Sequence, residues 1–555
     1  MAVEQLNKLQ IKAEILTVIA KFQTNLEAAN IDKTLETLVA QEDKKSILEV
    51  LIKELIKANE QKAILVCFLL LKLFDKEDIE PSLWEVLKNP SAPDSVKTII
   101  LNVLKDMGNK VDYEKLGEYF ENPNEVIDAD TQRLLHVAIV NPEAQIDFLD
   151  FLNSLPEVDK KILVQSLGDD YSSDDLANIL NPVVLYTPTS ELGKISINIL
   201  GDTKSQLALH TLSEALEFVE DEETVGLIKR NISKLKIAGV REDNSIDFYS
   251  EILSASIPYM SYASYPDGHG NQALIFSRER IDNLGSIQIV AIVVNDSEGI
   301  VDCFGFNEIS KTEFERIVAR FYNGDKYVYI NAPVVKSILL NAEKLTRKSC
   351  GNLSYEYICW KTLLSDIQAE PVPIELILKS AAEKKSLSDK DLEEIYMFDF
   401  LQRWFFDTER SEEFKSLIDY LNDKMGANDF QFNLDEIVDK NLDKIFTSEQ
   451  KNLLDKRILM SAYLKYLSQG AGTTVEEAQI LYSLYYDEDK KTKLAKNIIR
   501  KSIYEYYVLL KFKYKEESKT TNIFAKKNKS KDYELTAKQV DLAISLIESL
   551  WIKNE

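Results

Sequence analysis

The stretch that decides the fold is residues 190–238, SELGKISINILGDTKSQLALHTLSEALEFVEDEETVGLIKRNISKLKIA. Its apolar residues recur every three or four positions, the spacing of one helix face, and they do so in three blocks. Gly201-Asp202 separates the first two blocks, and the acidic run 221–223 opens the third. Small residues such as Ala215 stand where the second block would pack on its neighbours. This order predicts helix, tight turn, helix, acidic turn and helix.

This order resembles HEAT-like repeats, including the short variety found in bilin-lyase-type proteins. HEAT-like repeats stack helix pairs side by side, because one pair cannot bury its apolar face alone. The resemblance implies an α-solenoid over residues 1–240, with an extended surface suited to binding. Comparable apolar stripes recur along the chain, the first of them in residues 3–28. Residues 1–180 show no repeat with a strict period, so we assign them to the solenoid only because their predicted helices follow one another in pairs. An irregular helical bundle is the alternative.

A different pattern occupies residues 259–330, where the apolar period falls towards two, as in strands. The β-branched run 287–294 suits a central strand, and the turn-rich sequence 266–270 separates two predicted strands. These features predict an antiparallel β-meander with helices packed on one face. We therefore expect a small central α+β module over residues 241–350.

A second resemblance covers residues 250–365. The segments YASYPDGHGNQALIFSRE (262–279), VVNDSEGIVDCFG (293–305) and LSYEYICWKTLL (353–364) are similar to a module of uncharacterised bacterial proteins that also carry HEAT-like helices. That family has no assigned activity. The resemblance therefore implies the architecture and no catalytic residues.

Helices are predicted again in residues 351–555, which we assign to a C-terminal helical domain. A Ser or Thr followed three positions later by an acidic residue or Gln marks a helix start. Such pairs begin at Ser310, Ser388, Thr447, Thr474 and Thr536. The pair at Ser310 predicts a helix that ends at about residue 321. The other four pairs predict helices near 389–406, 448–468, 475–486 and 537–552. The fold class is thus mainly α.

Polar residues gather in the predicted loops of the central module, and the strongest candidates for ligand binding are Asp267, His269, Asn295 and Asp296. A carboxylate beside a histidine can act as a general base or bind a ligand. Asp-Gly and Asn-Asp are also ordinary turn chemistry, because their side chains bond to the local backbone. The turn interpretation, ligand contact and catalysis all stay open, and no residue is assigned as catalytic.

A basic segment, residues 490–531, carries fourteen Lys or Arg against three Glu and is interleaved with aromatics. We predict a flexible basic loop over 515–532 within it. The residues of the candidate basic patch are Lys511, Lys513, Lys515, Lys526, Lys527 and Lys529. Cations with aromatics suit single-stranded nucleic acid, and they suit an acidic protein surface equally, including that of this chain.

Composition excludes several classes of function. The net charge of −25 repels phosphate backbones and anionic membranes, so nucleic acid is an unfavoured partner. No phosphate-binding loop, dinucleotide fingerprint, nucleophile elbow or H-E-x-x-H motif occurs. The four cysteines form no C-x-x-C pair and there are three histidines, so we expect no metal and no cofactor.

The first residues argue for a cytoplasmic protein without a membrane anchor. Residues 1–27 mix Glu and Lys with apolar residues and lack the apolar core of a signal peptide. The apolar run 63–71 ends at Lys72 and is too short to span a bilayer.

Taken together, these features predict a non-enzymatic scaffold or adaptor that binds a protein partner through its helical-repeat surface. One alternative is a small-ligand sensor or enzyme centred on the central module. The other is a nucleic-acid-associated factor that uses segment 490–531. The identity of the partner and the oligomeric state cannot be predicted from these patterns.

Overall fold

The computed structural model describes residues 6–24, 31–41, 43–109, 115–241, 253, 256–281, 285–349, 351–373, 386–406, 408–409, 411–426, 433–468, 475–520 and 535–552. The chain divides into two compact units, Met1–Leu134 and Leu135–Glu555. In the described residues the fold is mainly α with a central antiparallel sheet, as predicted, and the sheet has five strands.

The first unit is a layered helical stack. Its helices are α1 (Lys8–Thr24), α2 (Ile31–Val39), α3 (Lys44–Ile56), α4 (Glu60–Leu73), α5 (Lys76–Leu87), α6 (Asp94–Asp106), α7 (Leu116–Tyr119) and the first part of α8 (Pro123–Ala138). Helix α1 packs on α3 and α3 on α5, while α4 packs on α6. Alternate helices therefore share a layer, as in stacked helix pairs, around one apolar core that runs from Ile11 to Phe120.

The second unit begins with helices arranged in the same way. They are α9 (Pro142–Ser154), α10 (Glu157–Asp170), α11 (Ser173–Tyr186), α12 (Glu191–Asp202), α13 (Gln206–Leu216) and α14 (Glu222–Ile237). The N-cap side chains of Ser190, Ser205 and Asp221 accept backbone hydrogen bonds and fix the starts of α12, α13 and α14. Helices α10, α12 and α14 form one layer, and α11 and α13 form the other.

The sheet follows, with strands β1 (Ser256–Ser264), β2 (Asn271–Arg280), β3 (Ser286–Asn295), β4 (Gly299–Ser310) and β5 (Tyr327–Tyr329). Its order is β4-β3-β2-β1-β5, and every neighbouring pair is antiparallel. Strand β4 was not predicted. As an edge strand it is buried at only two of its twelve positions, so its sequence lacks the apolar run of a central strand.

Helices cover both faces of the sheet, so the prediction of helices on one face is wrong. On one face, α15 (Lys311–Tyr322) packs Phe314 and Val318 against Ile275 and Ile289. On the other lie α16 (Ala332–Ser349) and α17 (Tyr355–Trp360). Strand β3 is buried at nearly every position because both of its faces are covered. The predicted capping box of Ser310 with Glu313 starts α15.

The C-terminal helices are α18 (Asp389–Tyr396), α19 (Glu412–Gly426), α20 (Leu434–Ile445), α21 (Ser448–Leu467), α22 (Val475–Tyr486), α23 (Glu488–Thr520) and α24 (Ala537–Ile552). Of the four helices predicted in this part of the chain, those at 448–468, 475–486 and 537–552 match α21, α22 and α24. The helix predicted at 389–406 ends at Tyr396, and a separate 3₁₀ turn follows at Asp399–Arg403. Helix α23 continues to Thr520, so the predicted loop is wrong over 515–520. The rest of that loop and Thr474 lie outside the described residues.

Candidate functional site

The turn between β1 and β2, Pro266–Gly270, is organised by one carboxylate. Asp267 Oδ1 accepts hydrogen bonds from the backbone N–H groups of His269 (2.9 Å) and Asn271 (2.8 Å). Its Oδ2 accepts from Asn271 Nδ2 at 3.0 Å. Both oxygens of Asp267 are thus engaged in holding the turn, which is typical of Asx-turn chemistry.

Asn295, at the end of β3, joins this turn to the loop between β3 and β4. Its Nδ2 donates to the carbonyl of His269 at 2.9 Å and to Asn271 Oδ1 at 3.0 Å. Its Oδ1 accepts from the backbone N–H of Ser297 at 2.9 Å and of Glu298 at 3.1 Å. The side chain is buried and serves both loops, so it fixes their relative positions.

Asp296 binds an arginine from the C-terminal helices. Arg457 of α21 donates from Nε to Asp296 Oδ2 at 2.5 Å and from Nη2 to Asp296 Oδ1 at 2.9 Å. Its Nη1 donates to the carbonyl of Gly268 at 2.7 Å. The two charged side chains are 10 % and 19 % exposed. A bidentate pair so little exposed to water is among the stronger polar contacts that proteins make.

A second C-terminal segment contacts the same turn. The indole N–H of Trp404 donates to the carbonyl of Pro266 at 2.9 Å, and Gly268 donates its N–H to the carbonyl of Arg403 at 3.0 Å. The rings of His269 and Phe405 meet edge to face, with centroids 5.5 Å apart. We call the residues that make these contacts the clasp. The clasp consists of Pro266–Gly270, Asn295, Asp296, Arg403–Phe405 and Arg457.

Two glycines make the clasp sterically possible. A Cβ on Gly268 would lie 2.4 Å from the backbone nitrogen of Phe405. Gly270 has φ +84°, which L side chains rarely adopt, and a Cβ there would lie 2.0 Å from Asp296 Oδ1. Both positions therefore require glycine.

The four predicted ligand-binding residues do lie together, and they form hydrogen bonds with other groups of the protein. Whether they also bind a ligand stays a prediction. Arg457 and Trp404 were missed, because the sequence separation of 161 residues between Asp296 and Arg457 leaves no local signal. The aromatic run 399–406 was the one available hint, and its Phe400, Leu401 and Trp404 are buried.

Another missed residue is Arg278, a buried arginine near the end of the central strand β2. Its guanidinium is bidentate to Asp366, at 2.8 and 3.0 Å. It also donates to Ser256 Oγ (2.9 Å), to the carbonyl of Ser256 (3.1 Å) and to the carbonyl of Leu363 (3.1 Å). All five N–H groups of the guanidinium have an acceptor, so the charge is buried without an unmet hydrogen bond.

An ion-pair cluster links α13 to the central module. Lys361 Nζ lies 2.6 Å from Glu214 and 3.8 Å from Glu343, which accepts a 2.8 Å hydrogen bond from the hydroxyl of Tyr357. Burial raises the pKa of Glu214, but the hydrogen bond from Lys361 and the charges of Lys361, His210 and Arg347 together outweigh burial and hold that pKa below its usual 4.5. The guanidinium of Arg347 stacks on Phe218, 3.4 Å from the ring centroid. The cluster is therefore an internal polar contact between the stacked helices and the module.

The stacked helices carry a repeat that sequence reasoning overlooked. Leu-Gly-Asp occurs at 167–169 and again at 200–202, in equivalent places on α10 and α12. Lys161 of α10 pairs with Glu191 of α12 at 3.7 Å. Lys194 of α12 pairs in the same way with Glu223 of α14, the next helix of that layer, at 2.7 Å. Asn231 Nδ2 donates to Asn198 Oδ1 at 3.1 Å, across the 33 residues that separate them. The three-residue match was the signal that could have revealed this repeat.

Acidic residues of the C-terminal helices neutralise much of the basic segment. Lys496 pairs with Asp439 at 2.7 Å, Arg500 with Asp435 at 2.6 Å and Lys511 with Asp541 at 2.7 Å. Lys513 is exposed, and Lys515 lies on α23. Lys526, Lys527 and Lys529 lie outside the described residues, so the basic patch stays a prediction.

Three further findings bear on function. No group of three or more His, Cys, Asp or Glu is placed to hold a metal ion among the described residues. Within the same residues, no helix combines the length and apolar character needed to cross a bilayer. Burial raises the pKa of the Cys303 thiol well above its usual value, which disfavours it as a nucleophile.

The chain matches no protein-family model, no curated protein and no solved structure. The resemblances to HEAT-like repeats and to the bacterial module therefore stay predictions.

Proposed function

We propose that this protein is a non-enzymatic scaffold or adaptor that binds a protein partner through the exposed face of α10, α12 and α14. One observation carries the proposal. Helix α11 is buried along ten consecutive residues, Leu176–Leu185, whereas α10 exposes Val158 (67 %) and Ile162 (59 %) on one face. Exposed apolar side chains one helical turn apart suit a partner contact better than contact with water.

The covered layer also supports the proposal. Helices α9 and α11 pack against α17, so this side of the stack is occupied by the protein itself. The outer layer is left for a partner, and ion pairs such as Lys194–Glu223 hold its helices in register. A stack of helices can match a long partner without a pocket, an argument from architecture alone.

Charge indicates the kind of partner. Residues 157–237 carry fourteen Asp or Glu against eight Lys or Arg. An acidic surface steers basic partners towards it and repels acidic ones. We therefore expect a protein that presents basic residues around an apolar contact.

The clasp fits the same proposal. Its polar side chains hold the turn Pro266–Gly270 to the C-terminal helices through Arg457 and Trp404. A rigid frame with internally bonded polar groups is what a scaffold needs.

The experiment is affinity capture from native extract with the wild-type chain and with a V158E/I162E variant, quantified by mass spectrometry. Because both side chains are exposed, the variant should keep its fold and lose the specific partner at least tenfold. The control is L509E, which adds a carboxylate at a residue 55 % exposed on α23, away from the proposed face. The proposal fails if no partner is enriched, or if V158E/I162E retains it as well as L509E does.

A further inference from the structure

Helix α1 has a second apolar stripe besides the one in the core. Ile11, Ile15, Val18 and Phe22 are buried on its inner side. On its outer side Leu9 is 81 % exposed and Leu16 is 38 % exposed, with Ala13 and Ala20 also exposed. Spacings of four, three and four residues place these outer residues in a single row along the helix.

Nothing polar interrupts this row. Thr17 donates its hydroxyl to the carbonyl of Ala13 at 2.8 Å, so its hydrogen bond is satisfied within the helix. Lys12 pairs with Glu54 at 3.0 Å, and Lys8 pairs with Glu49, so both lysines reach towards α3. The positive charges of Lys8 and Lys12 are therefore already compensated.

The place of α1 in the stack makes an apolar outer row unusual. It is the first helix of the layer α1, α3, α5. The described residues leave its outer side exposed, and soluble proteins seldom leave a continuous apolar row uncovered. A row led by a leucine that is four-fifths exposed calls for a covering partner.

We propose that α1 pairs with α1 of a second copy of this chain, antiparallel about a twofold axis between Glu14 and Ile15. That axis sets Leu9 opposite Ala20 of the second copy and Ala13 opposite Leu16. Each large side chain then meets a small one, in both directions, which is the self-complementarity that a twofold interface requires. The pairing follows from the order Leu, Ala, Leu, Ala in the row.

The surface already has a place for Leu9 of the second copy. An open hollow on α1 is lined by Leu16, Thr17, Ala20 and Lys21. Its lining includes Ala20, the residue that the twofold axis sets opposite Leu9. The most exposed leucine of the helix therefore meets the hollow and not a ridge.

The size of the contact sets its strength. Helix α1 has 17 residues. It is therefore ~25 Å long at 1.5 Å per residue, and one of its faces is smaller than the ~800 Å² per partner of a standard stable interface. The dimer is consequently weak and reversible, with a mass that depends on concentration.

Sedimentation equilibrium of the full chain over a hundredfold concentration range tests the dimer. The wild type should shift from monomer towards dimer, and L9E/A13E should remain monomeric at every concentration with an unchanged circular dichroism spectrum. The control L71E changes a leucine 44 % exposed on α4 and should dimerise like the wild type. A wild type that stays monomeric, or an L9E/A13E variant that still dimerises, overturns the proposal.

Disulfide trapping tests the orientation without relying on those variants. In a background with Cys350→Ser, L9C and A20C chains are oxidised separately and as a mixture. The mixture should form disulfide dimers at least tenfold faster than either chain alone, because residue 9 faces residue 20 of the other copy. Fast cross-linking of L9C alone indicates a parallel pair, and equal slow rates in all three samples indicate no pairing; either result overturns the proposal.

Discussion

Single residues decide how the sheet joins its neighbours. Arg278 and Arg457 each satisfy several acceptors at once, including a bidentate carboxylate. Only a planar guanidinium can donate in that fork geometry, so lysine is not an equivalent replacement. These two contacts fasten the segment around Asp366 and the helix α21 to the sheet.

Arg278→Lys should lower the free energy of unfolding by about 2 to 3 kcal/mol, because an ammonium replaces at most three of five hydrogen bonds. Chemical denaturation of the full chain measures the change. Arg316→Lys, at an exposed position on α15, is the matched control and should alter stability by less than about 0.5 kcal/mol. Equal stability of the two variants would show that the buried fork contributes little.

Helices and strands show which features local sequence can predict. Capping pairs such as Ser310 with Glu313 and the β-branched run of β3 act within a few residues, so these predicted elements match. The stop of α18 at Tyr396 was not predictable, because Arg403 and Trp404 turn to bond Gly268 and Pro266. Tertiary contacts there override helix propensity.

The repeated Gly168 and Gly201 provide a paired test at the level of helix packing. A Cβ on Gly201 would lie 2.0 Å from Asn231 Oδ1, whereas a Cβ on Gly168 would meet nothing within 4 Å. Gly201→Ala should therefore destabilise the protein by about 1 to 3 kcal/mol. Gly168→Ala should be neutral or stabilise it by up to about 1 kcal/mol, since alanine favours helix. Thermal unfolding distinguishes them, and the same shift for both would refute the close packing of α12 on α14.

The lowered pKa of Glu214 predicts how the stability of the contact between α13 and the central module depends on pH. Its pKa is lowered in the folded state, so its stabilisation is fully present above pH 4.5 and is lost as pH falls through the folded pKa. Glu214→Gln should cost about 2 kcal/mol at pH 7, because Lys361 loses its partner.

The free energy of unfolding of the wild type and of Glu214→Gln is measured from pH 7 to pH 3. The difference between the two proteins should shrink below pH 4.5. Glu220→Gln, on an exposed side chain, serves as control and should show no such dependence. A cost for Glu214→Gln that is constant with pH would mean that the carboxylate charge is not what joins α13 to Lys361.

At the scale of the whole molecule, the candidate site was predictable in part. Asp267, His269, Asn295 and Asp296 were found because turn chemistry is local, and they do lie together. The C-terminal partners of the turn and of Asp296, Trp404 and Arg457, lie more than a hundred residues further along the chain, so no local pattern announces them. Fold class followed from periodicity, while the function of a surface depends on a partner that the chain does not contain.

The central claim is that the clasp holds the C-terminal helices to the sheet, and a double-mutant cycle on Asp296 and Arg457 tests it most directly. Unfolding free energies of the wild type, D296N, R457M and D296N/R457M give the coupling between the two side chains. We expect each single variant to cost about 3 kcal/mol and a coupling of about 2 kcal/mol, with faster amide exchange in α21. A coupling near zero, with unchanged exchange in α21, would contradict the account.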